Sequence, residues 1–272
     1  MPTIRLGRHE NGQNFLTDRA VIATFVDLVA STRGPILEIG PGDGALSVPL
    51  ARLGRPLTVV EIDPRLARRV RRRLPRQVRV VTADVLNHRL PESPHVVVGN
   101  LPFHQTTAML RHLLHAPSWT DAVLITQWEV ARRRAGVGGA TMMTAQWAPW
   151  FTFTLHGRVP AGAFSPRPGV DGGLLVVHRR EQPLLPLRHR RRFQALVHRV
   201  YTGPGKGLAG ILPNVTPLAS PREARRWLER HGVDPLALPR AMQPEAWVDL
   251  FAVTGSSPPP RRVAEQGRGR RR

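Results

Sequence analysis

Apolar residues at Val21, Ile22, Phe25, Val26 and Val29 recur at the spacing of one helix face. They predict a helix over roughly 17–29, with Thr17 or Asp18 as its N-cap. Beyond it, short apolar runs alternate with helical patterns. The runs 36–39, 57–61, 78–81, 96–98 and 123–126 predict strands, with helix-like segments near 45–53, 65–74 and 106–114 between them. Strands separated by helices need crossover connections, and hence a parallel sheet covered on both faces. Two further apolar runs, 151–156 and 174–178, follow each other closely and predict an antiparallel edge. The pattern is that of a doubly wound α/β domain spanning 1–180.

The pattern then changes. Residues 181–186 carry Pro183 and Pro186 and read as a linker. Helical spacing returns at 192–201, 222–231 and 239–253, with modest apolar faces that predict a small helical domain over 181–255. From Ser256 the chain is rich in Pro, Gly and Arg, and 256–272 reads as a disordered basic tail. No internal repeat is visible.

Charge sharpens this picture. Of the 272 residues, 40 are Lys or Arg and 19 are Asp or Glu, a formal net charge of +21. The tail holds six Arg and one Glu, so +16 remains on the folded part. Such an excess points to a polyanionic partner, with nucleic acid favoured over an anionic membrane surface because no basic amphipathic helix with a strong apolar face stands out. Lys206 is the only lysine; guanidinium's fit to phosphate and codon bias explain that skew equally well. No apolar run approaches the ~18 residues of a membrane span. Residues 1–13 are polar and lack the features of a secretory signal. Cysteine is absent, which excludes disulfides and thiolate metal sites and fits a reducing cytoplasm.

The strongest local motif is Glu38-Ile39-Gly40-Pro41-Gly42-Asp43-Gly44, between the first strand of the alternating series and a helix. Glycines at alternate positions let the backbone turn sharply and approach a ligand beside the amide-rich start of a helix. A dinucleotide site prefers Gly-x-Gly-x-x-Gly and no acid in its cradle. The spacing here, with Asp43 inside the turn, leans toward a cofactor bearing a sulfonium and an ammonium. Glu61 ends the next strand, where a carboxylate can grip two ribose hydroxyls, and Asp84 follows the third, where it can accept from an adenine amine. A helix cap or solvated turn is the plain alternative for either acid alone.

The fourth strand runs into Asn100-Leu101-Pro102-Phe103. An exocyclic adenine amine is a poor nucleophile, because its lone pair is delocalised into the ring. Methylating it needs acceptors for its N–H groups, which the Asn100 side chain and a backbone carbonyl, that of Leu101, can provide. Pro102 stiffens the turn without adding a donor. Phe103 offers a face for a base taken out of its stack. In isolation the tetrapeptide is equally an ordinary strand exit with a core phenylalanine.

With these motifs in this order, residues 12–180 resemble the ribosomal RNA adenine N6-methyltransferases, the family of the Erm macrolide-resistance enzymes and the KsgA-type small-subunit dimethylases. Two further segments carry the resemblance: Gly12-Gln13-Asn14-Phe15-Leu16, and Val159-Pro160 through Phe164-Ser165-Pro166-Arg167-Pro168 to Val170. It implies a Rossmann-like class I methyltransferase sheet that binds S-adenosylmethionine through Gln13, Asn14, Leu16, Gly40, Gly42, Glu61, Ile62, Asp84, Val85 and Asn100. Phe164 would lie near the flipped adenine as a second stacking wall, or else be a buried staple. The wording Asn-Leu-Pro-Phe and the Arg/Gly-rich tail look like the Erm branch. That branch implies methylation of one adenine of 23S ribosomal RNA before full ribosome assembly, and resistance to macrolides, lincosamides and streptogramin B. A monomer without metal is expected. Among the basic clusters, Arg132, Arg133 and Arg134 sit nearest the strand ends and are the candidate RNA phosphate contacts. The run Arg65 to Arg79 and the cluster Arg188 to Arg192 read equally well as solvated faces.

Other readings stay open. An NAD-dependent oxidoreductase shares the fold and Glu61 but leaves Asn100–Phe103 and the charge unexplained. A 16S-directed dimethyltransferase, a DNA adenine methyltransferase and a non-enzymatic RNA-binding factor on this fold also remain. Among the eleven histidines there is no helical pair spaced for metal, and Gly203-Pro204-Gly205-Lys206-Gly207 lacks the full phosphate-loop spacing.

Overall fold

A computed structural model describes residues 14–255, which form two compact units dividing after Pro183. Gln13 and the 256–272 tail lie outside the described residues.

In the first unit, β1 (Phe15–Leu16) leads into α1 (Arg19–Ala30). Asp18 caps that helix, accepting from the amides of Ala20 and Val21 at 2.8 and 3.0 Å. Phe25 and Val29 face inward and are fully buried, as the spacing predicts. There follow β2 (Ile36–Ile39), α2 (Ser47–Ala51), β3 (Leu57–Glu61), α3 (Pro64–Arg73), β4 (Arg79–Thr82), β5 (His95–Asn100), α4 (Thr106–His115) and β6 (Trp119–Gln127). The central strands β2 and β5 are almost wholly buried, which is why they read as largely apolar runs, broken in β2 by Glu38. Next come α5 (Trp128–Arg134), α6 (Met142–Trp147), β7 (Phe151–Val159), β8 (Phe164–Ser165) and β9 (Gly172–Arg179).

Seven strands pair in the order β4-β3-β2-β5-β6-β9-β7. The first five are mutually parallel, β9 is antiparallel to β6, and β7 is antiparallel to β9. The expected antiparallel edge is therefore one reversed strand, and β7 points the same way as the other five. The chain leaves β2 outward through β3 and β4, then returns to β5 on the other side of β2. That reversal opens a crevice at the carboxyl ends of β2 and β5, where open α/β sheets bind ligands. Beside it, β1 and β8 form a two-stranded ribbon, with Leu16 opposite Phe164.

The second unit contains α7 (Arg190–Thr202), α8 (Gly207–Val215), α9 (Pro221–Arg230) and α10 (Pro244–Gly255). Phe193, Leu196, Leu212, Trp227, Leu228, Trp247 and Leu250 are its buried residues of largest consequence. The glycines of 203–207 have a packing role here. A Cβ on Gly207, whose φ is +67°, would stand 2.8 Å from the Leu236 Cα, so only glycine admits that contact. No described helix is long and apolar enough to cross a membrane.

Candidate active site

The crevice is an open cleft of about 1010 Å³, its mouth included. Its floor is the glycine turn after β2. Gly40 donates to the Val60 carbonyl at 2.9 Å, tying the turn to β3. Gly42 has φ +55°, and a Cβ there would come within 2.9 Å of the Phe15 ring, which closes the cleft from β1. A side chain at this point would thus displace Phe15 and fill the cradle.

Glu61 is buried, and its carboxylate is held from both sides. Oε2 accepts the Gly42 amide and Oε1 the Asp63 amide, each at 3.0 Å. Burial pushes its pKa up, and those two amides oppose the rise. Each oxygen keeps acceptor capacity toward the cleft. Asp84 is fixed similarly: Oδ1 accepts the Leu86 amide at 3.0 Å, and Oδ2 accepts the Asn87 side chain at 2.8 Å. Ile62, 55% exposed, and Val85, buried, provide apolar surface on the same side.

Asn100 ends β5. Its Nδ2 donates to the Asn14 carbonyl at 2.7 Å, which fixes the carboxamide and leaves Oδ1 as the group it offers the cleft. The Leu101 amide is committed to the Ile125 carbonyl at 2.9 Å. Neither Asn100 Oδ1 nor the Leu101 carbonyl oxygen meets a donor among the described residues. Pro102 and Phe103 continue the wall. The Pro102 carbonyl receives the Gln105 amide at 2.9 Å, closing the turn into α4.

Phe164 is buried, with its ring edge-on to Phe103 at 6.1 Å between centroids and 78° between planes. It packs close to Gly172 behind Phe103. Of the two arrangements the sequence allowed, a second open wall and a buried staple, the structure has the staple. Asn14, Leu16, Gly40, Gly42, Glu61, Ile62, Asp84, Val85, Asn100, Leu101, Pro102 and Phe103 all line the cleft. Asp43 lines it too, but Arg73 lies 3.6 Å from its carboxylate and also donates to its carbonyl. That pairing removes most of the weight placed on Asp43 as an attraction for a cationic ligand.

Among the lining residues that carried no assignment from the sequence, one is an acid. Glu38, in the centre of β2, is 1% exposed and its Oε2 has no hydrogen-bond partner. Burial pushes its carboxyl up to about 8. The nearby Ser47 hydroxyl pulls against the rise, and the Glu61 charge adds to it. The Ser47 hydroxyl closes no hydrogen bond of acceptable geometry, so both groups are unpartnered.

The three arginines after β6 differ in availability. Arg132 pairs with Glu129 at 2.9 Å, and Arg133, more open, lies 3.8 Å from the same carboxylate. Arg134 is turned inward and donates to the Thr141 hydroxyl at 2.8 Å.

The chain is similar to known proteins over most of its length. Residues 4–254 match the family described as ribosomal RNA adenine dimethylase. An rRNA adenine N-6-methyltransferase of Corynebacterium diphtheriae is 59% identical over 207 residues, covering 76% of this chain and 82% of that protein. The mycinamicin-resistance protein MyrB of Micromonospora griseorubida is 48% identical over 258 residues, 93% of this chain and 82% of its own. The crystal structure of the 23S rRNA methyltransferase ErmE superposes with a TM-score of 0.80 at 34% identity, covering 89% of this chain and all of that one.

Proposed function

The chain belongs to the ribosomal RNA adenine dimethylase family, and from that premise we propose that it transfers methyl from S-adenosylmethionine to N6 of an adenine in 23S ribosomal RNA. The consequence is resistance to macrolides, lincosamides and streptogramin B. The observation that carries the reaction is the Asn100 carboxamide, anchored through Nδ2 to Asn14 with Oδ1 unpartnered on the cleft wall.

The cleft suits the cofactor. The Gly42 cradle would be filled by a Cβ, and the orphaned Glu38 carboxyl, protonated while the cleft is empty, would ionise beside a cationic group. Glu61 would hold the ribose hydroxyls. Asp84 would accept from the cofactor's adenine amine, between Ile62 and Val85. Asn14, Leu16 and Gly40 would close around the remainder, as would Gln13, which lies outside the described residues. When bound, S-adenosylmethionine supplies an electrophilic methyl on a sulfonium.

The chain's own residues then prepare the nucleophile. Asn100 Oδ1 accepts one N–H of the target amine and the Leu101 carbonyl the other, so the nitrogen lone pair is turned out of conjugation. Pro102 keeps the turn rigid and free of competing donors. Phe103, backed edge-on by Phe164, stacks the flipped base, worth roughly 1–3 kcal/mol. Alignment supplies much of the rate, and the methylated nitrogen is acidic enough to lose its proton without a dedicated base. Arg133 and Arg132, with a smaller share for the inward-turned Arg134, would meet RNA phosphates. Such contacts position the RNA and do not choose the base. The protein would act as a monomer in the cytoplasm, on RNA not yet covered by ribosomal proteins.

The test is methyl transfer from labelled S-adenosylmethionine to protein-free 23S and 16S ribosomal RNA, with Asn100→Ala alongside. Label in one adenine of 23S RNA, lost in the variant, is expected. Label confined to 16S RNA would redirect the substrate and keep the chemistry. No label in either would overturn the reading.

A further inference from the structure

The rim that carries Asn100 holds a second polar arrangement outside the cofactor cleft. β6 ends at Gln127 opposite Gly172 of β9, and Gly172 in turn lies opposite Val159 of β7. Asn100 pairs with Ile125 on the same rim. At these ends Trp128, Arg158, the penultimate residue of β7, and Asp171 meet. The Arg158 guanidinium lies over the Trp128 ring, 5.4 Å from its centroid. Its Nε donates to Asp171 Oδ2 at 2.6 Å, and the Ala161 amide donates to Oδ1 of the same carboxylate at 2.7 Å. The Trp128 amide donates to the Asp171 carbonyl at 2.9 Å, which ties together the two backbone segments that carry ring and carboxylate.

The arginine so held remains open. Its side chain is 61% exposed, and Nη1 and Nη2 have no partner among the described residues. A surface ion pair adds little to stability, so stability is a poor reason for three residues to hold one guanidinium. A free arginine loses rotamer freedom whenever it grips a ligand, and prior fixing removes that cost. With Nε engaged by Asp171, the remaining two-pronged Nη edge matches the oxygens of a phosphate.

We propose that Arg158 is a pre-set contact for a ribosomal RNA phosphate beside the methylated adenine, seated by Trp128 and aligned by Asp171. This rests on the RNA methyltransferase reading above. Neighbouring strands lie about 4.8 Å apart. Trp128 directly follows β6, the strand next to Asn100, and Arg158 reaches over its ring from β7, three strands from Asn100 in the order β5-β6-β9-β7, so the contact falls on RNA backbone near the flipped base rather than on its own phosphate. Arg132 and Arg133, which share the field of Glu129 with Arg158, and Arg167, which acts on Asp171, add positive charge around it in excess of these two acids.

The experiment measures affinity for protein-free 23S ribosomal RNA between about 50 and 200 mM salt, for the wild type, Arg158→Ala, Arg158→Lys and Trp128→Leu. Cofactor affinity and melting temperature are recorded for each. Arg158→Ala is expected to weaken RNA binding about tenfold at low salt and to reduce the salt slope by about 0.7–0.9, the share of one phosphate. Arg158→Lys and Trp128→Leu keep the charge but lose the fork or its seat, so affinity falls several-fold while the slope stays that of the wild type. If Arg158→Ala loses cofactor binding through misfolding, the other two variants decide. Wild-type affinity and slope in the arginine variants, with the wild type methylating 23S RNA, would overturn the Arg158 contact alone. A wild type that neither binds nor methylates the RNA would overturn both.

Discussion

Glu38→Gln should stabilise the free protein at alkaline pH while weakening its hold on the cofactor. The carboxyl sits in the middle of a central strand, fully buried, with one oxygen unpartnered and Glu61 nearby. Its pKa is raised from 4.5 to about 8. The folded protein therefore keeps a proton that the unfolded chain releases, and unfolding becomes easier as pH rises through that window. Stability from this group is fully present below about 4.5 and lost by the time pH passes about 8. A displacement of that size is worth about 5 kcal/mol at most. Rearrangement of the open cleft reduces it, so a difference of about 2–4 kcal/mol is the working expectation. The assay is urea denaturation of wild type and variant at pH 5 and pH 8.5 without cofactor. The wild type should lose stability between the two pH values and Glu38→Gln should lose much less. Saturating S-adenosylmethionine should restore the wild type at pH 8.5 more than the variant, whose cofactor affinity should be at least tenfold lower. Equal pH slopes for the two proteins would refute both the buried charge and its proposed use.

Three further outcomes follow from the cleft and its surroundings. Asn100→Ala should lower kcat about 100-fold or more, by analogy with the loss of one pre-set polar group at a reacting centre; S-adenosylmethionine affinity should change far less, as single-turnover and binding measurements would reveal. Gly42→Ala places a Cβ 2.9 Å from the Phe15 ring at φ +55°, so titration should show cofactor binding weakened about tenfold, with about 1–2 kcal/mol of stability lost. Asp18→Ala removes the acceptor for two amides of α1; thermal melts should show about 1 kcal/mol lost, with RNA methylation kinetics unaltered at temperatures where the protein is folded.

The parallel sheet was legible because its inner strands are buried on both faces. Runs without polar alternation, such as 96–98 and, apart from Glu38, 36–39, read as doubly covered strands once helices separate them. Elements without room for a period were not legible. β1 and β8 have two residues each, and only the fold brings Leu16 opposite Phe164. α8 carries Gly207, Gly210 and Pro213, residues that argue against a helix until packing against Leu236 explains the first. α6, six residues long, is stabilised by the Thr141 cap and by burial of Trp147 rather than by an amphipathic repeat.

The candidate site followed a similar division. Residues announced by a turn or strand end converge, because Gly42, Glu61, Asp84 and Asn100 all stand at the carboxyl ends of parallel strands and so face one crevice. What the sequence hides is orientation. Phe103 and Phe164 are the same residue type in two proline-containing segments, yet one lines the cleft and the other is buried edge-on to it. Asp43 has the composition of a ligand group, and Arg73, thirty positions later, claims it. Glu38 shows the converse. It reads as part of a strand because its neighbours are apolar, but an acid in a doubly covered central strand must be desolvated without a fixed partner. That desolvation penalty is itself the signal. A carboxyl left unpartnered in the core at the edge of a cleft, and kept protonated there by burial, is on this reading a group that ionises when a ligand brings a positive charge beside it.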